Sequence, residues 1–414
     1  MKYGLLGQQL IHSYSPRIPH TLGTTDYGLV EQNPKQVDTF LDTTDMIGLN
    51  VTIPYKEVAL AHCNHISQIA ERIGCINTMV KRDGTWFGDN TDYNGVIYAL
   101  RYANISVDRK QCLILGDGAT SKTVHVALED LGASDIIHIS RHNHPTYGDL
   151  QDYYESAAII INATPVGMYP HCPKNLINLT LFKNLSGVMD LIYNPLRTNL
   201  LIQAERMGIP YVDGLPMLVA QAVHSSNLFH NTELNDDHIE PILQDLYKET
   251  ENIILIGMPG VGKTTVGKEL SRILCRPFVD CDAEITNEIG HIATFIDTHG
   301  EQAFRQVESA VIERLGKEKG YIISTGGGCV TIAENFAPLR QNGRMYQLTQ
   351  PIESLDTKGR PLSRGGLDRL RELERVRTPM YKSFAQCIIK HRRDEVESSS
   401  NILNDFYGNI EKRN

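Results

Sequence analysis

Nine consecutive residues, Gly257-Met258-Pro259-Gly260-Val261-Gly262-Lys263-Thr264-Thr265, constrain this chain more than any other stretch. They follow an apolar run, Ile253-Ile254-Leu255-Ile256, and open a segment of helical character. Strand, glycine loop and helix in that order form the context of a Walker A phosphate loop. Its glycines, Gly260 and Gly262 among them, let backbone N–H groups turn inward onto phosphate oxygens. Lys263 brings a point charge to the terminal phosphates, and the hydroxyl of Thr264, followed by Thr265, is offered to Mg²⁺. A loop of this kind follows the first strand of its domain. Here it begins after more than half of the chain, so a complete unit is expected before it.

A length of 414 residues allows two or three domains. With 41% apolar and 21% charged residues, the chain is globular rather than disordered. A net charge of −9 argues against general nucleic-acid binding. The eight cysteines include no C-x-x-C pair and read as reduced thiols, not as a disulfide framework or a zinc site. The N-terminus does not read as a signal peptide, and no run of about 18 apolar residues occurs. No membrane span is expected, and the cytoplasm is the expected location.

Residues 1–95 alternate short apolar runs with turn chemistry. Strands are expected at Tyr3–Leu6, Asn50–Ile53 and Cys75–Val80, with a helix near Glu57–His62. Three polar clusters interrupt them: His12-Ser13-Tyr14-Ser15-Pro16, Asn50-Val51-Thr52-Ile53-Pro54-Tyr55-Lys56 and Gly88-Asp89-Asn90-Thr91-Asp92. Taken singly, each has an ordinary explanation as a turn, a solvated lysine or a helix cap. Beyond residue 95, Cys112-Leu113-Ile114-Leu115 reads as a buried strand. Gly116-Asp117-Gly118-Ala119-Thr120-Ser121 then opens a helix, where a pyrophosphate would meet free N–H groups. Ser121 stands where a third glycine is usual. Ser140-Arg141 ends the next strand, and a cation there suits the 2′-phosphate of NADP. Gln221 is a polar residue within an apolar helical stretch that starts near Asp213-Gly214.

Together and in this order, the clusters resemble shikimate dehydrogenase over roughly residues 3–247. They supply His-Ser-x-Ser-Pro, Asn-Val-Thr-x-Pro-x-Lys, Gly-Asp-Asn-Thr-Asp, the glycine turn, Asn-Ala-Thr-Pro-x-Gly-Met at 162–168 and Asp-Gly-x-x-Met-Leu-x-x-Gln-Ala at 213–222. The resemblance implies an α/β substrate domain (1–95 and 215–250) and a Rossmann NADP(H) domain (96–214). It implies that Ser13 and Ser15 hold the substrate carboxylate, and that Thr52, Asn77, Asp92 and Gln221 bind its hydroxyls with Tyr193 nearby. Lys56 and Asp92 would form the catalytic pair. Gly116, Gly118, Ala119, Thr120, Ser140, Arg141 and Gly214 would hold the cofactor.

After the phosphate loop, Phe278-Val279-Asp280-Cys281-Asp282 reads as a strand with two aspartates at its end, placed for Mg²⁺ and substrate. Gly300-Glu301-Gln302-Ala303-Phe304-Arg305, Glu308, Gly326-Gly327-Gly328, Gly359-Arg360-Pro361-Leu362 and Arg377-Thr378-Pro379-Met380-Tyr381 follow. In this order they resemble shikimate kinase across about residues 252–405. The resemblance implies a P-loop α/β kinase domain (251–414) that uses ATP. It places Asp282 at the phosphorylated hydroxyl and Asp280 with Thr264 at Mg²⁺. Arg305 and Arg377 would sit on the substrate carboxylate, Gly327 and Gly328 at the ring hydroxyls, and Arg360 at the phosphates.

The two families catalyse consecutive steps, so the expected activity is bifunctional: 3-dehydroshikimate to shikimate, then shikimate to shikimate 3-phosphate. Alternatives are a dehydrogenase half that also takes quinate, or one active half with the other a regulatory ligand-binding module. No Gly/Ser- or Pro-rich linker separates the halves, so they are expected to pack close or to have limited reach. A fragment covering Asn252–Asn414 is expected to fold alone.

Overall fold

Three sheets order the computed structural model, which describes residues 1–10, 16–170, 172, 175–355 and 366–411. The first is mixed: β1 (Tyr3–Gly7), β2 (Tyr27–Glu31), β3 (Gly48–Val51), β4 (His65–Ile66), β5 (Thr78–Arg82) and β6 (Thr85–Asp89), ordered β2-β1-β3-β5-β6-β4. β1 runs parallel to β2 and β3, and β5 runs antiparallel to β3 and β6. The second sheet is wholly parallel: β7 (Gln111–Leu115), β8 (Asp135–Ile139), β9 (Ile159–Asn162), β10 (Gly187–Asp190) and β11 (Tyr211–Val212), ordered β11-β10-β9-β7-β8. The third is also parallel: β12 (Asn252–Gly257), β13 (Phe278–Asp280), β14 (Ile322–Ser324), β15 (Gly343–Thr349) and β16 (Cys387–Lys390), ordered β13-β14-β12-β15-β16.

Strands buried on both faces need unbroken apolar runs. Cys112–Leu115 and Ile253–Ile256 supply them, and all eight residues are 0% exposed. In each parallel sheet the strand order reverses beside the first strand, which leaves a crevice at the carboxyl ends. The glycine turn follows β7 and the phosphate loop follows β12, so both glycine loops lie at such crevices.

Three boundaries differ from the expected ones. β3 stops at Val51, short of Ile53, because Pro54 has no N–H to continue a ladder. β5 begins at Thr78 rather than Cys75, since Ile76 N donates instead to Lys56 O at 3.3 Å. β13 ends at Asp280, whose carboxylate accepts from Asp282 N at 3.0 Å and caps the helix Cys281–Ile289. Asp282 therefore stands in the first turn of a helix, not on the strand.

The helix Leu215–His230 packs along the helix Asp92–Tyr102, as a return to the first lobe requires. The next helix, Ile239–Thr250, packs against the chain's last helix, Glu395–Glu411. Leu243, Leu246 and Tyr247 share one core cluster with Ile253, Ile402 and Phe406. Charged groups close the same seam. Arg197 Nη2 donates to Glu251 Oε1 at 2.5 Å, with both side chains at most 4% exposed. Arg340 Nε donates to Glu205 Oε2 at 2.8 Å. The halves are packed close along this seam. A cut at 252 strips Arg340, 3% exposed, of Glu205 and uncovers the apolar face that Ile239–Thr250 protects.

Candidate active sites

Lys56 opens the helix Lys56–Ala61 just after the turn that ends β3, and Asp92 opens Asp92–Tyr102 just after β6. Strand pairing brings these ends together. Lys56 Nζ meets Asp92 Oδ2 at 2.5 Å, and the residues are 8% and 7% exposed. Lys56 Nζ also reaches Thr120 Oγ1 at 3.4 Å. Thr120 lies in the first turn of Ala119–Asp130, so the ammonium sits where the mixed-sheet lobe meets the glycine turn of the parallel lobe.

Asn77, 3% exposed, donates from Nδ2 to Thr91 Oγ1 (3.0 Å) and to Gln221 Oε1 (3.4 Å). Its Oδ1 accepts from Thr91 N at 2.7 Å, which fixes the amide. Thr52 lies just past β3, its N–H bonded to Leu6 O at 2.9 Å. Tyr193 is half-buried in the loop after β10, and burial pushes its hydroxyl pKa up. At the base of that loop Asp190 accepts from Ile192 N (3.0 Å), Asn162 Nδ2 (3.0 Å) and Thr198 Oγ1 (2.6 Å). Complete burial pushes the Asp190 carboxyl up to about 7 against the pull of those donors. Ser13 and Ser15 lie outside the described residues.

The glycine turn fits a dinucleotide. Gly116 has φ +114°, and a Cβ there would also meet Thr164 Cγ2 at 3.0 Å, so glycine is required. Gly118 has φ −79°, and a Cβ would meet nothing within 4 Å. Neither backbone nor packing asks for glycine at 118, and its open side lies at a helix N-terminus, where a pyrophosphate is favoured. Ser121 replaces the usual third glycine without obstruction because its hydroxyl folds back onto Gly118 O at 2.6 Å. Asp117 is turned onto Asn143 Nδ2 at 2.9 Å. Ser140, 3% exposed, bonds the backbone of Asn143 and shapes the turn, leaving exposed Arg141 as the available cation. Ala119 follows Gly118 in the same helix turn. Packing accounts for Gly214, since a Cβ there would strike Leu191 O.

The second site is a cavity of about 530 Å³ at the carboxyl ends of β12, β13 and β14. Gly260 and Gly262 take φ +84° and +90°, the left-handed turns a phosphate cradle needs. Lys263 Nζ donates to the loop's own carbonyls, Gly257 O at 2.9 Å and Met258 O at 3.1 Å. Thr264 Oγ1 and Asp280 Oδ2 meet at 2.6 Å, and Thr265 lines the same wall. Among the described residues no group of three His, Cys, Asp or Glu could cage a metal. A hydroxyl and a carboxylate suit Mg²⁺, which takes few protein ligands beside phosphate and water.

Facing the phosphate loop, Arg305 donates to Glu308 Oε2 (2.7 Å) and Glu301 Oε1 (2.8 Å). Arg377 Nη1 donates to Gly327 O at 3.1 Å, and Tyr381 Oη reaches the same oxygen. A Cβ at Gly326 would lie 2.5 Å from Glu308 Oε1 and 2.9 Å from Asp282 Oδ1, and one at Gly328 would collide with the Arg305 guanidinium. Gly326 thus makes room for two carboxylates and Gly328 for the Arg305 guanidinium, while Gly327 lets the turn lie against Pro259 of the phosphate loop. Glu308, 1% exposed, joins this wall, although the sequence assigns it no role of its own. Burial raises its pKa against Arg305, and its Oε1 has no hydrogen-bond partner among the described residues. The signal was there, an acid one helical turn after Arg305. Arg360 lies outside the described residues.

The family model for shikimate kinase covers residues 259–406, and that for the shikimate dehydrogenase substrate binding domain covers 5–79. Shikimate dehydrogenase (NADP(+)) of Clostridium perfringens strain SM101 is 31% identical over 265 residues, spanning 59% of this chain and 97% of that protein. The enzyme of Clostridium botulinum strain Loch Maree is 34% identical over 250 residues, 55% of this chain and 95% of its own. Among solved structures, shikimate dehydrogenase 1 from Peptoclostridium difficile is 33% identical with a TM-score of 0.54, covering 59% of this chain and 97% of that one. A chorismate mutase/shikimate 5-dehydrogenase fusion from Clostridium acetobutylicum is 31% identical with a TM-score of 0.55, covering 59% and 96%. Over its first three-fifths the chain therefore belongs to the shikimate dehydrogenase family, and residues 259–406 match the shikimate kinase family, so the chain is an enzyme of the shikimate pathway.

Proposed function

We propose that residues 1–250 reduce 3-dehydroshikimate to shikimate and that residues 251–414 phosphorylate shikimate to shikimate 3-phosphate. The observation that carries the first half is the Lys56–Asp92 contact at 2.5 Å, with Thr120 of the glycine-turn helix 3.4 Å from the same ammonium. NADPH, when bound, supplies the hydride. Lys56 stabilises the charge building on the ketone oxygen and gives it the proton, while Asp92 orients the ammonium. Asn77, Gln221 and Thr52 hold the ring hydroxyls, with Tyr193 beside them.

In the second half Mg-ATP, when bound, supplies the phosphoryl group. Thr264 and Asp280 would hold the metal, and Lys263 would bring its charge to the phosphates. Asp282 receives the accepting hydroxyl, Arg305 and Arg377 grip the carboxylate, and Gly327 and Gly328 lie against the ring. Positioning and charge neutralisation are the main requirements of this reaction.

The test is two separate assays of the purified full chain: NADPH oxidation with 3-dehydroshikimate, and ADP release from Mg-ATP with shikimate. Both rates should be substantial, with quinate a poor substitute. A chain active in only one assay sinks the bifunctional reading, and equal rates with quinate sink the substrate assignment.

A further inference from the structure

The loop that carries Tyr193 joins β10 to the helix Asn199–Arg206, and its anchors come from two catalytic regions. On its inner side, Asp190 ties down Ile192 N and Thr198 Oγ1, and Ile192 O accepts from Gly214 N at 3.0 Å. Gly214 opens the helix that bears Gln221, so this end of the loop is fixed to the dehydrogenase site.

On its outer side the loop is completed by the kinase region. Leu196 N donates to Asn342 Oδ1 at 3.0 Å, and Arg197 N donates to Gln341 O at 2.9 Å. Asn194 O accepts from Tyr169 N at 3.0 Å, and the Tyr169 hydroxyl donates to Gln341 Oε1 at 3.0 Å. Leu196 and Arg197 are 2% and 3% exposed, so their N–H groups have no recourse to water. Gln341 and Asn342 end the short helix Phe336–Asn342, which runs directly into β15 of the kinase sheet.

We infer that Gln341 and Asn342 are positioning residues of the dehydrogenase reaction: the kinase region holds the loop that presents Tyr193 to the substrate. The inference rests on the reading of residues 1–250 as the dehydrogenase with Tyr193 beside its substrate. A loop held on one side only would sample other Tyr193 placements, which weakens ground-state and transition-state binding alike. That appears in KM and not in kcat.

The experiment uses the full chain with three variants: Asn342→Ala, Tyr169→Phe and Tyr193→Phe. Asn342→Ala should raise the KM for 3-dehydroshikimate about 5- to 20-fold, from loss of a buried N–H partner. Dehydrogenase kcat, the KM for NADPH and the kinase rate should each stay within about twofold. Tyr169→Phe, which keeps the ring and removes only the hydroxyl that reaches Gln341, should raise the same KM about 2- to 5-fold. If Asn342→Ala does not fold, Tyr169→Phe alone decides. An unchanged KM in folded Tyr169→Phe overturns the inference, as does a parallel rise in the KM for NADPH, which would mark a generally loosened lobe. Tyr193→Phe separates the two layers. If it leaves the KM unchanged, the reading of Tyr193 fails and the inference with it. If it raises the KM while the seam variants do not, only the inference fails. Absence of NADPH oxidation in the unaltered chain would sink the dehydrogenase assignment itself.

Discussion

The dehydrogenase cleft and the kinase cavity are assembled in opposite ways. In the first, Lys56, Asp92, Thr120 and Gln221 come from four helices and Asn77 from the turn before β5, and they meet through side chains, with Lys56 already on Asp92. In the second, the phosphate side comes from the stretch 257–265 and the turn 326–328, which follow two strands of one sheet, and the helices that carry Asp282, Arg305, Glu308 and Arg377 complete the wall. Lys263 is parked on carbonyls five and six residues upstream, within its own loop. A site gathered from distant elements depends on how lobes sit against each other. A site built from local loops depends on backbone freedom at a few glycines.

The comparison is tested most severely at the two charged centres. Lys56→Ala removes the ammonium that joins Asp92 to Thr120, and dehydrogenase turnover should fall ~10²–10⁴-fold. Because the kinase wall is built separately, ADP release with shikimate should be unchanged in the same protein. A parallel loss of both activities would show that the sites are not separate. Asp282→Asn should then lower kinase turnover by about 10²-fold or more while Mg-ATP still binds, since Lys263, Thr264 and Asp280 are untouched. Nucleotide affinity measured by calorimetry decides this, and loss of ATP binding would move Asp282 from the acceptor side to the nucleotide side.

Stability at the seam should respond next. Arg340 is 3% exposed and bonded to Glu205, so Arg340→Ala leaves a part-buried acid with only the Tyr211 hydroxyl and should cost about 1–3 kcal/mol in chemical denaturation. The pH dependence has a definite sign. Burial raises the Glu205 pKa, but Arg340 and Arg197 more than offset it and hold the carboxyl at about 2, below its ordinary 4.5. A depressed acid stabilises the fold above pH 4.5 and loses that contribution as pH falls through 2, in total roughly 3 kcal/mol. Glu205→Gln should flatten stability across that acid window, and an unaltered profile would remove the seam from acid sensitivity.

The same contrast explains what could be read from the sequence. The phosphate loop, its flanking strand and helix, and the run Cys112–Leu115 depend on neighbours in the chain, so periodicity and glycine spacing expose them. The cleft residues were reachable only as separate clusters whose order matched a family, because nothing local ties Lys56 to Asp92 or Asn77 to Gln221. Asp282 was misplaced by one element because Asp280 caps a helix that begins immediately, a choice made by one side chain. The seam left almost no trace. Glu205 and Arg340 stand 135 residues apart, and neither belongs to a motif. The one hint was a charged residue, Glu251, at the threshold of an apolar strand with no flexible linker before it.

The smallest expected effect sharpens the comparison on the cofactor side. The glycine turn after β7 is itself a local loop, like the kinase's, inside the site that is otherwise gathered from afar. Its discriminating cation should therefore act independently of the lobe contacts. Arg141 is exposed, while Ser140 beneath it is occupied with the turn and Asp117 is turned onto Asn143. An exposed guanidinium on a 2′-phosphate makes charge-assisted bonds partly screened by water. Arg141→Ala should raise the KM for NADPH about 10-fold and leave that for NADH within about twofold, with kcat preserved for both. Raising the salt concentration should shrink the unaltered protein's preference towards that of the variant, because screening acts on the same pair. Equal use of NADPH and NADH by the unaltered chain would remove Arg141 from cofactor choice. A fall in kcat with the KM unchanged would instead mean that the turn, like Lys56, is coupled to the lobe contact through Thr120.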